Sequence, residues 1–403
     1  MMYWVSEDFA LRMINIANNL GDLGKEKYGK EIFLVNYRNI KLKKMSSDEL
    51  LSEIKSLRTE ILDLEEYPHE YLEGKLTSFE YLLRYILGEE FEYALLLEKI
   101  QQLPCEEISE EEINTLTEQS TDFLNKLGYS GSLQEMKEQW YSENYLESGE
   151  VIEYAKKFIK ALKEETLKKV VKLHSDDEID AVQGITGVFW SGFSKYPGNY
   201  KGNLTFNIDK RWNKYEFIHV LSHESYPGHQ AFYSRWDYLL NTDRFPMEAA
   251  YYLLNEPINT LFEGGPENAI AFIGWGDERI NSVMSKEEVF ALKGIRLLMK
   301  LTRIYQTNAS YYYHTGKMNK EQSIEYMVNK GLMNELDAIN TFRFFSDKLS
   351  VTTYPTYYYG RKIVEDAYNS VPEGKLEEFF KILYDQPHTN NTFDKAIKKL
   401  LNK

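Results

Sequence analysis

The chain has 403 residues, of which 28% are charged and 43% hydrophobic, and its formal net charge is −15. This is the balance of an ordinary soluble globular protein, long enough for one large core or two lobes. The acidic excess argues against nucleic acid or an anionic membrane as partner, and Cys105, the single cysteine, excludes an intrachain disulfide and a thiolate metal site.

Residues 1–8 place Glu7 and Asp8 where a signal peptide would be basic, and no sustained apolar run follows. No window reaches the apolar length of a membrane span, so a reducing, cytoplasmic setting is expected. Residues 46–64 read as a helix, with a Ser46/Glu49 capping box and Leu50, Ile54, Leu57 and Ile61 on one face. A second long helix is expected over 78–103, with Pro104 just beyond its end. Ser109/Glu112 and Ser132/Glu135 are further capping boxes, and 128–132 is a turn. Residues 151–173 are helical again, with Tyr154, Phe158, Leu162 and Val170 towards a core. His69 and His174 lie in polar settings and are expected at the surface. Residues 1–180 thus form a helical lobe without evident chemistry, and 181–403 a second lobe that carries it.

The texture changes at Gly184. Residues 184–209 are rich in glycine and aromatics, and 202–209 alternate, the pattern of strand and turn. The open edge of a short sheet there could pair with the backbone of an extended peptide. An amphipathic run over 212–221 starts a helix that leads into His223, Glu224, Pro227, Gly228 and His229. In H-E-x-x-H zinc enzymes two His at i and i+4 share one helix face, and the Glu is general base. Here the spacing is i and i+6, about 240° round a regular helix. Pro227 has no N–H for the His223 carbonyl and Gly228 tolerates almost any backbone angle. The helix is therefore expected to bulge, so that one wide turn brings His229 back to His223. The alternative is a helix ending at Pro227 with two surface histidines. His219, at i−4 from His223, offers a competing pair, or it packs beneath the site.

Residues 230–240 should continue as helix and 248–262 form another, kinked at Pro257 and ending in the run Glu263, Gly264, Gly265, Pro266, Glu267. Ser285/Glu288 caps a long helix to Tyr313; Asn319 starts the next, to Lys330. The tyrosine-rich 352–361 lies near a turn, and the last 40 residues are closing helices. Zinc needs a third protein ligand, with the fourth position left for water. The candidates are Glu248, Glu256, Glu263 and Glu267. Glu263 is chosen because it lies one helix downstream and precedes Gly264, which admits a close backbone. Glu267, one turn on, is placed to accept from the far nitrogen of a ligand His.

The pattern His223-Glu224-x-x-Pro227-Gly228-His229 resembles the signature of the domain of unknown function 885 family, zinc metallopeptidases akin to the thermolysin-like gluzincins. Phe262-Glu263-Gly264 matches that family's E-G segment, and Arg303 through His314 to Ile324 its helix–His–x–x–G–turn–helix pattern. The likeness spans roughly residues 184–360. Gln230 stands where the family usually has a second His, Gly265-Pro266 where it has W-A, and the tyrosine segment is shorter. The resemblance implies a mainly α, gluzincin-like fold with a small β-sheet beside the metal-binding helix and a deep groove for a peptide substrate. It implies zinc held by His223, His229 and Glu263, with Glu224 taking a proton from activated water. His314, Tyr354 and Tyr359 are then candidate donors to the developing oxyanion. Two other functions fit the residues, an inactive metal- or peptide-binding protein and a metallohydrolase of a non-peptide amide or ester.

Overall fold

The computed structural model describes residues 1–30, 32, 34–37, 43–276 and 284–402. The chain opens with α1 (Glu7–Tyr28). Ser6 caps it by accepting from the Phe9 N–H, and Gly29 closes it at φ 69°. Gly21 and Gly24 lower its propensity by about 1 kcal/mol each, but Phe9, Met13, Ile14 and Leu20 are fully buried. Burial of that face decides the matter. β1 (Leu34–Asn36) follows, then α2 (Ser47–Glu60), which carries the expected reciprocal box between Ser46 and Glu49.

Two helices, α3 (Glu66–Ile86) and α4 (Tyr93–Gln101), replace the single one expected over 78–103. Gly88 lies at φ 101°, a left-handed conformation that ends the first helix. The acidic residues after it form the entry to the second. Next come α5 (Glu110–Lys126), α6 (Leu133–Glu143), β2 (Tyr145–Leu146) and α7 (Val151–Lys169). The box at Ser132/Glu135 is complete. At Ser109 only the serine half forms; the Glu112 carboxylate instead accepts from the Tyr358 hydroxyl at 2.9 Å.

The glycine-rich stretch is a three-stranded sheet of β3 (Glu178–Ile185), β4 (Gly192–Gly198) and β5 (Lys201–Asn207). β5 is central, parallel to β3 and antiparallel to β4, with Gly192 opposite Phe206 and Ser194 opposite Leu204. β6 (Trp212–Asn213) pairs with β2 and leads into α8 (Lys214–Glu224) and α9 (His229–Asn241). The helix expected over 248–262 is not formed. A short 3-10 turn at Met247–Ala249 precedes β7 (Tyr251–Leu253), which pairs antiparallel with β1, and α10 (Asn259–Glu267) begins only after Pro257. Glu256 stabilises this path by accepting from the Leu253 N–H at 2.8 Å.

The remainder is helical: α11 (Ala269–Phe272), α12 (Lys286–His314), α13 (Lys320–Asn329), α14 (Glu335–Phe345), α15 (Tyr354–Ser370), α16 (Leu376–Asp385) and α17 (Asn390–Leu401). The tyrosine cluster is the first turns of α15, with Pro355 at a helix start that tolerates its missing N–H. The chain is thus mainly helical with small sheets. One apolar cluster runs from Phe9 to Leu400, and a second gathers Met327, Phe342, Phe345 and Tyr354. Among the described residues no helix is long and apolar enough to cross a membrane.

Glu256 also meets Lys75 at 2.9 Å, both side chains at 0% exposure, with the Lys75 ammonium 3.7 Å from the centre of the Tyr251 ring. This pair ties α3 to the segment entering α10. Lys75→Met alone leaves a buried carboxylate without its cation and is expected to cost about 3–5 kcal/mol. Lys75→Met with Glu256→Gln should recover much of that loss. Urea unfolding of the three proteins checks it, and equal stability of the single and double variants would contradict it.

Candidate metal centre

α8 starts where Asn213 accepts from the Tyr215 N–H at 2.9 Å. It is packed on nearly every side, with Phe217, Ile218 and Leu221 at 1% exposure or less. It stops at Glu224. Pro227 cannot donate back, and the chain swings outward in a widened turn. The Gly228 N–H reaches the Ser222 carbonyl at 3.1 Å and the Ala231 N–H the Ser225 carbonyl at 3.3 Å. A Cβ at Gly228 would lie 1.8 Å from the His223 carbonyl oxygen, so glycine alone fits. α9 then begins at His229, and the two imidazoles meet at 4.8 Å between centroids, nearly perpendicular at 84°. The expected wide turn is formed, and neither histidine is at the surface, each being 7% exposed.

α10 brings Glu263 to the same point, because it lies against α15 at an unusually close approach. A Cβ at Gly264 would lie 2.3 Å from the Gly360 carbonyl oxygen, and one at Gly360 2.1 Å from that of Thr260. Gly265 is required too, since its Cβ would meet the Phe232 ring at 2.6 Å. Glu263 Oε2 is 3.3 Å from His223 Nε2 and 3.7 Å from His229 Nε2.

The three side chains fit a cation. One atom from each of His223, His229 and Glu263 lies within 4.8 Å of the others, and all three are buried. Glu263 Oε2 is buried without a hydrogen-bond donor, facing two imidazole nitrogens. Two nitrogens and a carboxylate oxygen are a zinc donor set. Burial would raise the Glu263 carboxyl, but His223 and His229 outweigh it and bring it down to about 2.

Glu267, one turn along α10, supports the group from behind. Its carboxylate lies 3.8 Å from His223 Nδ1, 3.5 Å from His219 Nε2 and 3.3 Å from an Arg303 nitrogen. Burial opposes its ionisation, yet Arg303 and the two histidines hold it well below the usual carboxylate range. His219 belongs to this second layer, 3% exposed beneath the cluster, and the three-residue group contains His229 and not His219.

Glu224 is outside the three-residue group but beside it. It lines a cavity of about 490 Å³ that His219, His223, Glu267, Arg303, Tyr354 and Tyr357 also line. β4 passes close beside it: a Cβ at Gly192 would sit 3.0 Å from Glu224 Cγ. Burial pushes the Glu224 carboxyl up to about 7, with Glu263 and Glu267 adding to the rise and His229 opposing it.

The remaining candidates separate. Tyr354 lines the cavity, and its hydroxyl accepts from Arg303 at 3.0 Å. His314 is not brought to the site. It lies eleven residues beyond Arg303 on α12, about 16 Å along the axis at 1.5 Å per residue. There it stacks on Tyr93 at 4.4 Å, bonds the Phe345 carbonyl at 2.8 Å, and burial pushes it down to about 4. Tyr359 is not brought there either. It is five residues on from Tyr354 and so about 140° round α15, and its hydroxyl donates to the Glu106 carbonyl at 3.4 Å. Gln230 is structural, its amide donating to Asp177 at 3.0 Å and to the Tyr200 carbonyl at 3.3 Å.

Arg303 and Tyr357 are among the cavity residues that had no assigned role in the sequence. Arg303 stands over the Tyr357 ring at 4.7 Å, and that ring is 6.4 Å from His223. Tyr357 is three residues from Tyr354, a helical neighbour once 352–361 is read as a helix start rather than a turn.

No family model matches the chain, and no curated protein does. Solved structures resemble it, among them the following two. One is described as a "putative lipoprotein" from Colwellia psychrerythraea, 15% identical at a TM-score of 0.58, with 97% of this chain and 71% of that one covered. The other is a "putative lipoprotein of unknown function" from Shewanella oneidensis, 16% identical at a TM-score of 0.52, with 89% of this chain and 71% of that one covered. At this identity the likeness shows a shared fold and nothing more; the buried His223, His229 and Glu263 group that could hold a metal ion is a feature of this chain.

Proposed function

We propose that the protein is a zinc-dependent peptidase that hydrolyses short peptides. The carrying observation is that two imidazole nitrogens and the Glu263 carboxylate converge on one buried point while Glu224 faces the adjoining cavity. The resemblance to the domain of unknown function 885 family and its gluzincin-like architecture supports the same reading. In it, His223, His229 and Glu263 hold the ion. Bound zinc supplies Lewis-acid polarisation of a scissile carbonyl and acidifies water to near neutrality. Glu224 differs from His223 by about 100° round the helix, so it is free of the ligand set. It takes the water's proton and passes it to the departing amine nitrogen.

The oxyanion that develops on the carbonyl needs a donor, and Tyr357 is the best placed. It lines the cavity beside His223, and burial with the nearby charge of Glu263 keeps its hydroxyl protonated. Tyr354 and Glu267 hold Arg303 in place. Tyr357→Phe should lower kcat by about 10²–10³-fold with metal content unchanged, and Tyr354→Phe should do less. The reverse order would restore Tyr354 as the donor.

Glu263→Ala is expected to abolish zinc binding. Glu267→Ala, which removes only an orienting partner, should weaken it by about 10–100-fold. Zinc titration of both variants checks this, and equal losses would remove the distinction between them. The overall reading is tested by peptide hydrolysis by the zinc-loaded protein with and without chelator. The lone Cys105 supports a cytoplasmic setting. Cell fractionation tests that, since both structural neighbours carry the description lipoprotein.

A further inference from the structure

The cavity beside Glu224 extends along α8, which serves as a ruler. Glu216 and His223 are one heptad apart, so they share a face and lie about 10 Å from each other along the axis. At the Glu216 end the walls carry cations. Lys210 sits 3.0 Å from Glu216 and 4.0 Å from Asp337, so its charge is already matched. Lys137, on α6, is different. Its ammonium donates to the Leu332 carbonyl and lies 4.8 Å from the centre of the Tyr141 ring. Among the described residues it has no carboxylate within ion-pair distance. Burial pushes it down to about 8, with Lys210 adding to the fall and Glu216 and Asp337 opposing it. An ammonium in a cavity, held by one neutral carbonyl and a ring face, has donors left for an anion. Arg211 also lines this end without an ion pair among the described residues, but it is exposed and lies over the Tyr145 ring, and the Glu138 carboxylate lines the same end, so the charge balance suits a single carboxylate rather than a polyanion.

We propose that this end of the cavity, at Lys137, binds the terminal carboxylate of a short peptide lying along α8. An extended chain covers about 3.3–3.6 Å per residue, so about 10 Å between Lys137's end and His223 places two or three residues beyond the scissile bond. The cleavage part of this inference rests on the peptidase reading; the carboxylate subsite does not. The substrate is then a peptide with a free C-terminus, from which a di- or tripeptide is released.

Binding and cleavage are tested separately. Calorimetry compares trialanine with its C-terminal amide on the purified protein, without turnover. The acid is expected to bind at least about tenfold tighter, the worth of a charge-assisted hydrogen bond. Lys137→Met should bring the acid to the amide's affinity and leave the amide unchanged. Equal affinity of acid and amide for the wild type, or no binding of either, overturns the subsite whether or not the variant folds. In the second arm, zinc-loaded protein acts on N-acetylated hexapeptides, and products are identified by mass spectrometry. Release of C-terminal di- or tripeptides, lost on amidation, supports the proposal, and cleavage indifferent to amidation overturns it. No cleavage at all, with the acid preference intact, removes the peptidase reading and leaves the carboxylate subsite standing.

Discussion

Glu224→Gln is expected to keep its zinc, bind peptide, and lose about 10²–10⁴-fold in hydrolysis, the range of a missing general base. Glutamine keeps the shape and hydrogen bonding of the side chain but accepts no proton at neutral pH. The geometry favours a clean separation of roles. His223 points into the cluster with Glu263, while Glu224 lies against Gly192 of β4 and faces the cavity. The substitution also removes a buried carboxyl close to Glu263 and Glu267, so stability should not fall. Hydrolysis and zinc content measured on one preparation decide the question. A variant that cleaves at the wild-type rate would falsify the mechanism and leave a metal-dependent binder as the better description.

The second large effect concerns the ion itself. The wild type should bind about one zinc per chain, the number that one donor set supports. His223→Ala and His229→Ala should each reduce that to background after dialysis, because two remaining ligands do not make a closed site. His219→Ala should retain the metal with lower affinity, since His219 reaches Glu267 and not Glu263. Zinc binding should also raise the melting temperature of the wild type by mass action, and chelator should reverse the rise. If His229→Ala keeps full occupancy while His219→Ala loses it, the metal is held by the i−4 pair and the widened turn has another purpose.

Some of this was legible in the sequence because it depends on near neighbours in the chain. Capping boxes at Ser46, Ser132 and Ser285 need only a residue and its partner three positions on, and all three form. The bulge at Pro227 and Gly228 follows from one missing N–H and one missing Cβ. Those two absences led to the expectation that His223 and His229 meet, while a helix ending at Pro227 and a His219/His223 pair stayed open until the fold was in hand. Glu263 was reached by counting one helix downstream and by the freedom of Gly264, and the run Glu263 to Glu267 does end a helix, as the last residues of α10.

Contacts between distant segments decided the rest. α1 forms although two glycines weaken it, because its apolar face is covered by the core. The stretch 248–262 has helical composition, yet Tyr251–Leu253 is drawn into a strand by its pairing with β1, more than 200 residues earlier in the chain. The oxyanion candidates divided on the same ground. His314 follows a motif-like run, but a helix is rigid, and its place at the end of α12 carries it to Tyr93 and Phe345. Tyr357 stands on α15, which Gly264 and Gly360 let close to backbone contact with α10, and Arg303 is brought to the same cavity by α12. Local spacing by itself showed how His223 and His229 could come together; only the packing of one helix against another decided for that pair over His219 and which side chains surround it. Spacing fixes directions within one element, whereas the approach of two elements depends on every side chain between them.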